Sequence, residues 1–410
     1  MNKNVAFTIC TASYVGLAKT MKTSFLKYND FFDFFVFVVD YKVNYDLPND
    51  VCDIRNFVDL TDDEYTVLTF KYNVTEFCTA LKPYCFKTLL KKYENLVLYF
   101  DPDILFYSKF DEVQNSTANI FLTPHRVCLN PVSCEISYEK DILQSGIYNC
   151  GFVGMRKSNI AISVSEWWIT RLKDYCYFDP NRGLFTDQKW MDYIPAFVST
   201  KDLYIIKNLG CNFAPWNYLE RKCVSENDVY YIESRFNFNG KDKLCFMHYS
   251  GYNYANMLNG DFSHKTTKRV NYDDIKTLLI IYANELKKEN VEKYFKYKYC
   301  YNNYDNGDVI LSIHRKLFPF AIEKISEKNP FVTKEGSYYK LLKKSRLVTK
   351  NKKAVADFNS YNMKGISTKK RILERFFTVV LKFCGVSFFM SLLKMFDYFA
   401  DSKKHGYLLK

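Results

Sequence analysis

Two carboxylates stand one residue apart between two apolar runs in residues 96–107, LVLYFDPDILFY. Burying an unpaired charge is costly, so Asp101 and Asp103 need a partner: a metal ion, a basic side chain, or water at the end of a strand. Two carboxylates in one cleft repel each other unless a cation lies between them. Because hard oxygen ligands suit Mg²⁺ or Mn²⁺, which also bridge phosphate oxygens, the pair predicts a divalent-metal site. The alternative is a solvated surface turn.

The first half of the chain alternates predicted strands and helices. Apolar runs predict strands over 5–10, 33–40, 96–100, 119–124 and 150–155. Apolar residues at helical spacing predict helices over 16–29, 84–93 and 161–176, with a shorter helix over 185–194. This alternation indicates an α/β domain with a mostly parallel sheet, in which ligands bind at the carboxyl ends of strands. Asp101 stands at such an end, and Pro102 stops the strand because it lacks a backbone donor.

Composition limits the class of protein. The 410 residues allow two or three domains, and 34 Tyr with 36 Phe supply a large core, which excludes global disorder. The 13 Cys are scattered, with no CxxC pair and no spacing for a zinc site. They favour a reducing compartment over a disulfide framework. The first residues resemble an initial strand more than a signal peptide.

Further polar segments stand in order around the carboxylate pair. They are FTICTASYVGLAKTMKTSF (7–25), LKPYCFKTLL (81–90), IYNCGFVGMRKS (147–158), GLFTDQKWMDYIP (183–195) and CFMHYSGY (245–252). Together with YFDPDI (99–104), this series resembles the nucleotide-sugar glycosyltransferases with a GT-A fold. The resemblance is greatest to the retaining group of glycogenin and the bacterial lipopolysaccharide galactosyltransferases, glycosyltransferase family 8, and it spans roughly residues 4–255.

The resemblance implies a GT-A catalytic domain over residues 1–258, an α/β fold with a Rossmann-like, mostly parallel central sheet flanked by helices. We expect residues 259–330 to form a helical extension packed on it, and residues 331–410 to form a basic linker and an amphipathic C-terminal helix.

The resemblance also implies a set of donor-binding residues. Asp101, Asp103 and His248 would hold Mn²⁺ or Mg²⁺ against the diphosphate of a UDP-type sugar donor. The implied donor contacts are Lys82, Tyr14 as the ring stacked on uracil, and Thr8 and Thr11 at the ribose or base. The alternatives are a buried structural histidine at 248, an ordinary lysine at a helix start, and a core or surface tyrosine.

Three residues match the reaction centre of the family: Asn149, Asp187 and Gln188. As the nucleotide leaves, the sugar gains positive charge at its anomeric carbon, which an amide oxygen or a carboxylate would stabilise. The alternative for Asp187 is a cap on the following helix. The lysine that family 8 members often carry after the histidine is absent, because this chain has Tyr254 in the run GYNY (251–254). Lys82 and Arg221 are the candidates to compensate for it.

Several residues are candidates for the acceptor side. Trp190 and Trp216 have flat faces suited to sugar rings, although core packing is favoured for both. Asp179 and His125 are further candidates, whereas Asp192 is expected to be a surface or structural acid.

The C-terminal part concentrates the positive charge of a chain whose net charge is +13. Residues 373–400 are rich in Phe, Leu and Val, and their uninterrupted apolar core, 383–393, is expected to be too short to span a bilayer. A basic helix of this kind suits the surface of an anionic membrane. The alternatives are packing on the protein's own core or on a second subunit. Nucleic acid is not expected as a partner, because no nucleic-acid motif is present and the charge is local.

The expected function is therefore metal-dependent transfer of a sugar, with retention, to a glycan or lipid-linked acceptor. The resemblance places it in bacterial surface polysaccharide or lipopolysaccharide synthesis, in the cytoplasm and at the inner face of the plasma membrane. The alternatives are an inverting reaction with Asp187 as base, a non-catalytic sugar-nucleotide-binding or scaffold protein, and a phosphohydrolase of the haloacid dehalogenase type. The sequence leaves the donor sugar, the acceptor and the oligomeric state open.

Overall fold

The computed structural model describes residues 3–129, 137–236, 240–264, 273–348 and 366–409. The chain divides into two compact units, residues 1–60 with 74–299 and residues 61–73 with 300–410. The division predicted from the sequence, at 258 and 330, stays a prediction.

The strands and helices of the described residues are numbered here in chain order. The strands are β1 (Asn4–Cys10), β2 (Phe32–Val38), β3 (Val51–Asp53), β4 (Leu96–Phe100), β5 (Ile104–Phe106), β6 (Ile120–Pro124), β7 (Tyr148–Arg156), β8 (Phe178–Asp179), β9 (Leu184–Phe185), β10 (Leu203–Ile205), β11 (Arg221–Glu226), β12 (Val229–Ser234), β13 (Lys241–Lys243) and β14 (Phe246–His248). The α-helices are α1 (Val15–Tyr28), α2 (Asp62–Lys71), α3 (Val74–Ala80), α4 (Lys82–Lys92), α5 (Ser137–Ser145), α6 (Asn159–Tyr175), α7 (Gln188–Met191), α8 (Ile194–Phe197), α9 (Tyr254–Leu258), α10 (Lys276–Lys288), α11 (Glu292–Phe295), α12 (Ser312–Leu317), α13 (Tyr338–Lys344) and α14 (Ile366–Ala400).

The first unit is built on a seven-stranded sheet in the order β10-β6-β7-β4-β1-β2-β3. All neighbours in it run parallel except β7, which is antiparallel to both β4 and β6. Helices flank the sheet, and α4 packs against α6. The predicted α/β class with a mostly parallel central sheet is confirmed.

The core of this unit explains why the sheet and its first helix form where they do. Phe25 on α1 is fully buried, and its ring lies 5.0–5.5 Å from the rings of Phe32, Phe34, Phe100 and Phe106. Aromatic pairs at these separations add to the free energy gained by burial. One side chain of α1 therefore ties together β2, β4 and β5.

The pairing of β5 with β14 carries a distant part of the chain to the end of β4. The two short strands are antiparallel, with Ile104 opposite His248, and the amide of Tyr249 donates to the carbonyl of Asp103 at 2.8 Å. This ladder places the side chain of His248 beside the carboxylate pair.

The helix predicted over 185–194 is confirmed only over Gln188–Met191, and its predicted start is wrong. Residues 184–185 form β9, Thr186 has a φ of 47°, and only two four-residue helices follow, α7 and α8. A left-handed φ at a β-branched residue interrupts any helix. It turns Asp187 away from the helix axis and toward the interior.

The second unit has its own core. Its members include Phe70, Tyr304, Leu317, Phe318, Tyr338, Leu342 and Leu409. The guanidinium of Arg315 is buried and donates to the carbonyls of Thr69, Phe70 and Tyr72 at 2.7–3.0 Å. These bonds join residues 61–73 to the rest of the unit.

The C-terminal helix α14 is longer than the predicted 373–400. Within the described residues one helical stretch, Thr368–Ala400, is long and apolar enough to cross a membrane by length and composition, and none of its most apolar part is buried. The prediction that this segment is too short is therefore wrong on length alone. Gly385 within it has a φ of 76° and a ψ of 168°, so the helix is broken there.

Candidate active site

Asp101, Asp103 and His248 form a cluster at the carboxyl end of β4. The Nε2 atom of His248 lies 3.0 Å from Oδ1 of Asp103 and 3.7 Å from Oδ2 of Asp101. One ligand atom from each residue lies within 4.8 Å of the others. The three residues predicted as metal ligands are thus brought together.

The charges in this cluster fit a cation. Burial works to lower the pKa of His248, but the carboxylates of Asp103 and Asp101 outweigh it and raise that pKa above its ordinary value. Burial likewise opposes ionisation of Asp103, yet His248 and the hydroxyl of Tyr254 lower its pKa. Two carboxylates and one imidazole nitrogen suit a divalent ion such as Mn²⁺ or Mg²⁺.

Gly151 on β7 makes room for the cluster. A Cβ atom at this position would lie 2.4 Å from Cε1 of His248 and 2.7 Å from Oδ1 of Asn149. The carbonyl of Gly151 also accepts the amide of Asp101 at 2.8 Å. Only glycine at position 151 therefore leaves room for the side chains of both His248 and Asn149.

Tyr254 takes the place of the lysine that is absent after the histidine. Its hydroxyl donates to Oδ2 of Asp103 at 2.7 Å, and its ring meets that of Tyr14 edge-on at 5.9 Å. Tyr14 is 40% exposed, and burial together with Asp103 raises its pKa. Tyr14, the predicted base-stacking residue, is thus connected to the cluster of Asp101, Asp103 and His248 through Tyr254, to which the sequence analysis assigned no role.

Lys82 opens α4 but is not an ordinary helix-start lysine. Its Nζ lies 2.8 Å from Oδ2 of Asp187 and 3.5 Å from Oδ1 of Asp101, and it donates to the carbonyl of Cys150 at 2.8 Å. Burial would lower the pKa of Lys82, but the two carboxylates raise it above the ordinary value. The charged ammonium therefore lies between the carboxylates of Asp187 and Asp101.

Asp187 does not cap the following helix, so that alternative is wrong. It precedes α7 without a capping hydrogen bond, because its side chain turns to Lys82 and accepts from the hydroxyl of Thr186 at 3.0 Å. Gln188, next in sequence, donates from Nε2 to the carbonyl of Ser145 at 2.9 Å.

Asn149 is held by a buried amide and imidazole network. Its Oδ1 accepts from the amide of Gly151 at 3.1 Å and from Nδ2 of Asn212 at 3.3 Å, while its Nδ2 lies 3.4 Å from Nε2 of His125. Burial lowers the pKa of His125 to about 4, so its ring is neutral near pH 7. With Nδ1 directed at the carbonyl of Ile147, Nε2 is the acceptor for Asn149.

These residues surround one cavity of about 580 Å³. Six of the predicted site residues line it: Lys82, Asp101, Asn149, Asp187, Gln188 and His248. His125 and Trp216 also line it, and the Trp216 ring stands edge-on between the rings of His125 and His248 at 5.3 and 5.1 Å. The indole nitrogen of Trp216 has no hydrogen-bond partner among the described residues.

Three predicted nucleotide contacts, Thr8, Thr11 and Tyr14, lie apart from the cavity lining. Thr8 is fully buried within β1, opposite Val36, and its hydroxyl has no partner in the described part of the chain. The hydroxyl of Thr11 lies 2.8 Å from that of Ser13.

Other candidates are corrected. Arg221 cannot compensate for the missing lysine, because its guanidinium is buried with Glu220 at 2.9 Å and donates to the carbonyls of Leu209 and Cys211.

Trp216 lines the cavity and Trp190 lies against Tyr175 and Tyr193 in a partly exposed aromatic cluster, so core packing is wrong for both. Asp192 accepts the amide of Ile147, as expected of a structural acid.

Comparisons with known proteins give distant relatives. No family model matches the chain. Two proteins of Bacillus subtilis strain 168 are similar to it: the uncharacterized protein YfnD is 26% identical over 254 residues, 60% of this chain and 76% of that protein. The uncharacterized protein YfnF is 26% identical over 204 residues, 47% of this chain and 62% of that protein, so the chain spans less than two thirds of it.

Solved structures with partial similarity are glycosyltransferases, the class that the sequence motifs resemble. The galactosyltransferase LgtC, in complex with donor and acceptor sugar analogs, has a TM-score of 0.41 at 13% identity over 69% of this chain and 95% of that one. Mouse xyloside xylosyltransferase 1, in its apo form, has a TM-score of 0.36 at 10% identity over 61% of this chain and 98% of that one. Scores this low carry no weight for the chemistry of the cavity.

Proposed function

We propose that the cavity transfers a sugar from a nucleotide-diphosphate donor, UDP-linked, to a glycan or lipid-linked acceptor. The observation that supports this most is that the carboxylate–imidazole cluster and the Lys82–Asp187 ion pair share one cavity at the carboxyl end of β4. Residues that could hold a divalent ion and a buried ion pair stand side by side, and this arrangement supports transfer of a sugar from a diphosphate.

Asp101, Asp103 and His248 would hold the divalent ion. When bound, the ion offsets the negative charge of the diphosphate and of the departing nucleotide. The imidazole nitrogen favours Mn²⁺ over Mg²⁺, because magnesium prefers an all-oxygen shell. Tyr254 orients Asp103 through its hydrogen bond, and the exposed ring of Tyr14 offers a face on which the donor base stacks.

The opposite half of the cavity would stabilise the reacting sugar. Gln188 gives its amide nitrogen to Ser145, so its amide oxygen is the atom available to a positive charge at the anomeric carbon. Asn149 is fixed by three partners and would orient the sugar hydroxyls. Such prearranged dipoles cost no reorganisation when charge develops.

Retention is favoured over inversion by the surroundings of Asp187. An inverting reaction needs a base that takes the acceptor proton. Oδ2 of Asp187 lies 2.8 Å from the Lys82 ammonium, and Oδ1 accepts from Thr186. We propose that this carboxylate holds Lys82 and the adjacent Gln188 in place, in a retaining reaction.

The acceptor would enter beside Trp216, which lines the cavity and has a flat ring suited to a sugar. The acceptor class we propose is a growing bacterial surface polysaccharide or lipopolysaccharide at the cytoplasmic face of the plasma membrane.

A thermal-shift screen of sugar nucleotides with and without Mn²⁺, followed by a donor-hydrolysis assay, tests this function. A bound donor raises the unfolding temperature, and we expect one UDP-sugar to do so only with the metal. Asp103→Asn should lower donor turnover by about a hundredfold or more, whereas the exposed Asp111→Asn should not.

Full turnover in chelator would contradict the metal requirement. Absence of any donor binding with Mn²⁺ present would favour a scaffold protein, and release of phosphate from aryl phosphates would favour a phosphohydrolase.

A further inference from the structure

The C-terminal helix α14 reverses direction at Gly385. The rings of Phe377 and Phe389 lie 6.0 Å apart, and those of Phe377 and Phe396 lie 5.8 Å apart. In a straight helix, residues nineteen positions apart are separated by roughly 28 Å. Residues 366–384 and 386–400 therefore form two antiparallel arms, joined where Gly385 adopts a φ of 76° that favours glycine.

The hairpin leaves and rejoins the same compact unit. Residues 402–408 contact α12 and α14, Leu409 is buried in the core of the second unit, and Lys324 donates to its carbonyl at 2.9 Å. The chain before the hairpin, through Val348, also packs against that core. A single crossing of a bilayer would place these two segments on opposite sides, so the helix cannot be a simple membrane span.

Each arm carries a row of exposed apolar residues on the same face of the hairpin. The inner rows, with Phe377 and Val380 on one arm and Phe389 and Leu392 on the other, are the least exposed. Successive residues of a helix are rotated by about 100°. By this count, each arm has a second apolar row that is rotated from its inner row in the same direction. Because the arms run antiparallel, both second rows lie on one face of the hairpin. Its members are Ile372, Phe376, Val379, Phe383, Phe388, Met395 and Phe399, each at least 43% exposed.

Basic residues border this apolar face, and acidic residues lie on the opposite one. Arg371, Arg375 and Lys382 follow the outer edge of the first arm at helical spacing, and Lys394 lies on the outer edge of the second. By the same count, Glu374 and Asp397 fall on the side away from the apolar face. The charge around the face is thus complementary to an anionic surface.

We propose that residues 366–400 form an in-plane helical hairpin that binds one leaflet of an anionic membrane through this apolar face, without crossing it. Amphipathic helices of this composition bury their apolar side about 5–10 Å into the boundary between headgroups and acyl chains. The polar edges then stay at the level of the lipid phosphates. This proposal does not depend on the activity of the cavity, so each can fail without the other.

Flotation of the full chain with lipid vesicles tests whether the apolar face of the hairpin binds a membrane. We expect binding to phosphatidylcholine vesicles that contain phosphatidylglycerol, and weaker binding without it or at high salt. Val379→Asn with Phe388→Asn should weaken binding about tenfold or more, because two side chains lose their burial in lipid. The matched control is Leu381→Asn with Met390→Asn, exposed apolar residues on the opposite face, and its affinity should stay within about twofold of the parent.

A fluorophore on Cys384 tests the depth. Cys384 is the exposed cysteine of the described residues and lies next to the turn; labelling of other cysteines is subtracted with Cys384→Ser. Quenching by nitroxides near the headgroups, and little by nitroxides at the ends of the acyl chains, is the expected result. Deep quenching would mean that the turn of the hairpin inserts into the bilayer and does not lie in its plane, which would overturn the proposal. Equal loss of binding in both double variants would overturn it, as would a dimer in solution that only Val379→Asn with Phe388→Asn dissociates.

Discussion

The ammonium of Lys82 lies 2.8 Å from Oδ2 of Asp187, and both side chains are buried in the wall of the cavity. Neither residue is near the other in sequence, and neither charge reaches bulk water. Because desolvated charges must be paired, the position of each depends on the other. The pair therefore holds the wall that carries Gln188 at a defined place relative to the metal cluster.

Removing one partner of this pair should cost more than removing both. We expect Lys82→Met to destabilise the protein by about 3–5 kcal/mol, because it leaves Asp187 buried without its cation. Lys82→Met combined with Asp187→Asn should recover most of the unfolding temperature but not the donor turnover. Thermal unfolding and donor hydrolysis of the three variants check this. An unchanged unfolding temperature in Lys82→Met would show that the pair is not structural.

Gly151→Ala should damage both the fold and the metal site. The added Cβ would lie 2.4 Å from His248, so the histidine or β7 must move, at a cost of about 1–3 kcal/mol. The measurements are thermal unfolding and Mn²⁺ affinity by calorimetry. Gly240→Ala is the control, since among the described residues a Cβ there meets only Leu209, at 3.6 Å. Normal Mn²⁺ affinity in Gly151→Ala would contradict the assignment of His248 as a ligand.

Tyr254→Phe should weaken the metal site with little effect on stability. The hydroxyl donates to Oδ2 of Asp103, and loss of a hydrogen bond that orients a ligand costs about 10–100-fold in metal affinity. Tyr282→Phe is a matched control, because that buried hydroxyl has no partner among the described residues. The comparison is of Mn²⁺ dissociation constants. Equal Mn²⁺ dissociation constants for Tyr254→Phe and Tyr282→Phe would show that Tyr254 does not orient a metal ligand.

Asp40→Asn should raise stability above pH 6. Burial raises the pKa of Asp40 from 3.8 to about 6, against the lowering effect of the hydrogen bond from the amide of Ala12. The folded state therefore binds this proton more tightly than the unfolded state, and stability is lost as pH rises from about 4 to 6. Asparagine can still accept from Ala12 and carries no charge.

The expected difference between Asp40→Asn and the parent is at most ~3 kcal/mol above pH 6, and it should vanish near pH 4. Thermal unfolding across this pH range measures it. Parallel profiles for the two proteins would contradict the prediction.

Local patterns in the sequence predicted much of the central sheet and the two carboxylates of the candidate site. The strand β4 and its carboxylates could be identified because a buried strand and a Pro turn are local features. Sequence order around them also identified Lys82, Asn149, Asp187, Gln188 and His248, which the fold brings to one cavity. Lys82 and Gln188 open helices, and His248 ends a strand, whereas Asn149 lies near the start of β7; side chains at strand ends are where an α/β sheet forms its sites.

Features that depend on contacts between distant residues were not predictable. Thr186 has a φ of 47° and interrupts the helix that the pattern favoured over 185–194. The next residue, Asp187, forms an ion pair with the distant Lys82, which a local pattern cannot predict. The sequence predicts Trp216 as a core residue, because its contact with the ring of His248 on β14 depends on the fold. The reversal at Gly385 has no distinct signal in a continuous apolar run, since glycine is tolerated inside helices at a modest cost.

The antiparallel ladder of β5 and β14 has a consequence for the order in which the protein becomes competent. Six strands of the central sheet and two of the three proposed metal ligands are encoded before residue 157, whereas His248 comes about ninety residues later. A growing chain therefore holds an incomplete ligand set until that late segment pairs with β5. Binding of the ion would then act as a check on completion, since it adds stability to finished molecules and little to unfinished ones.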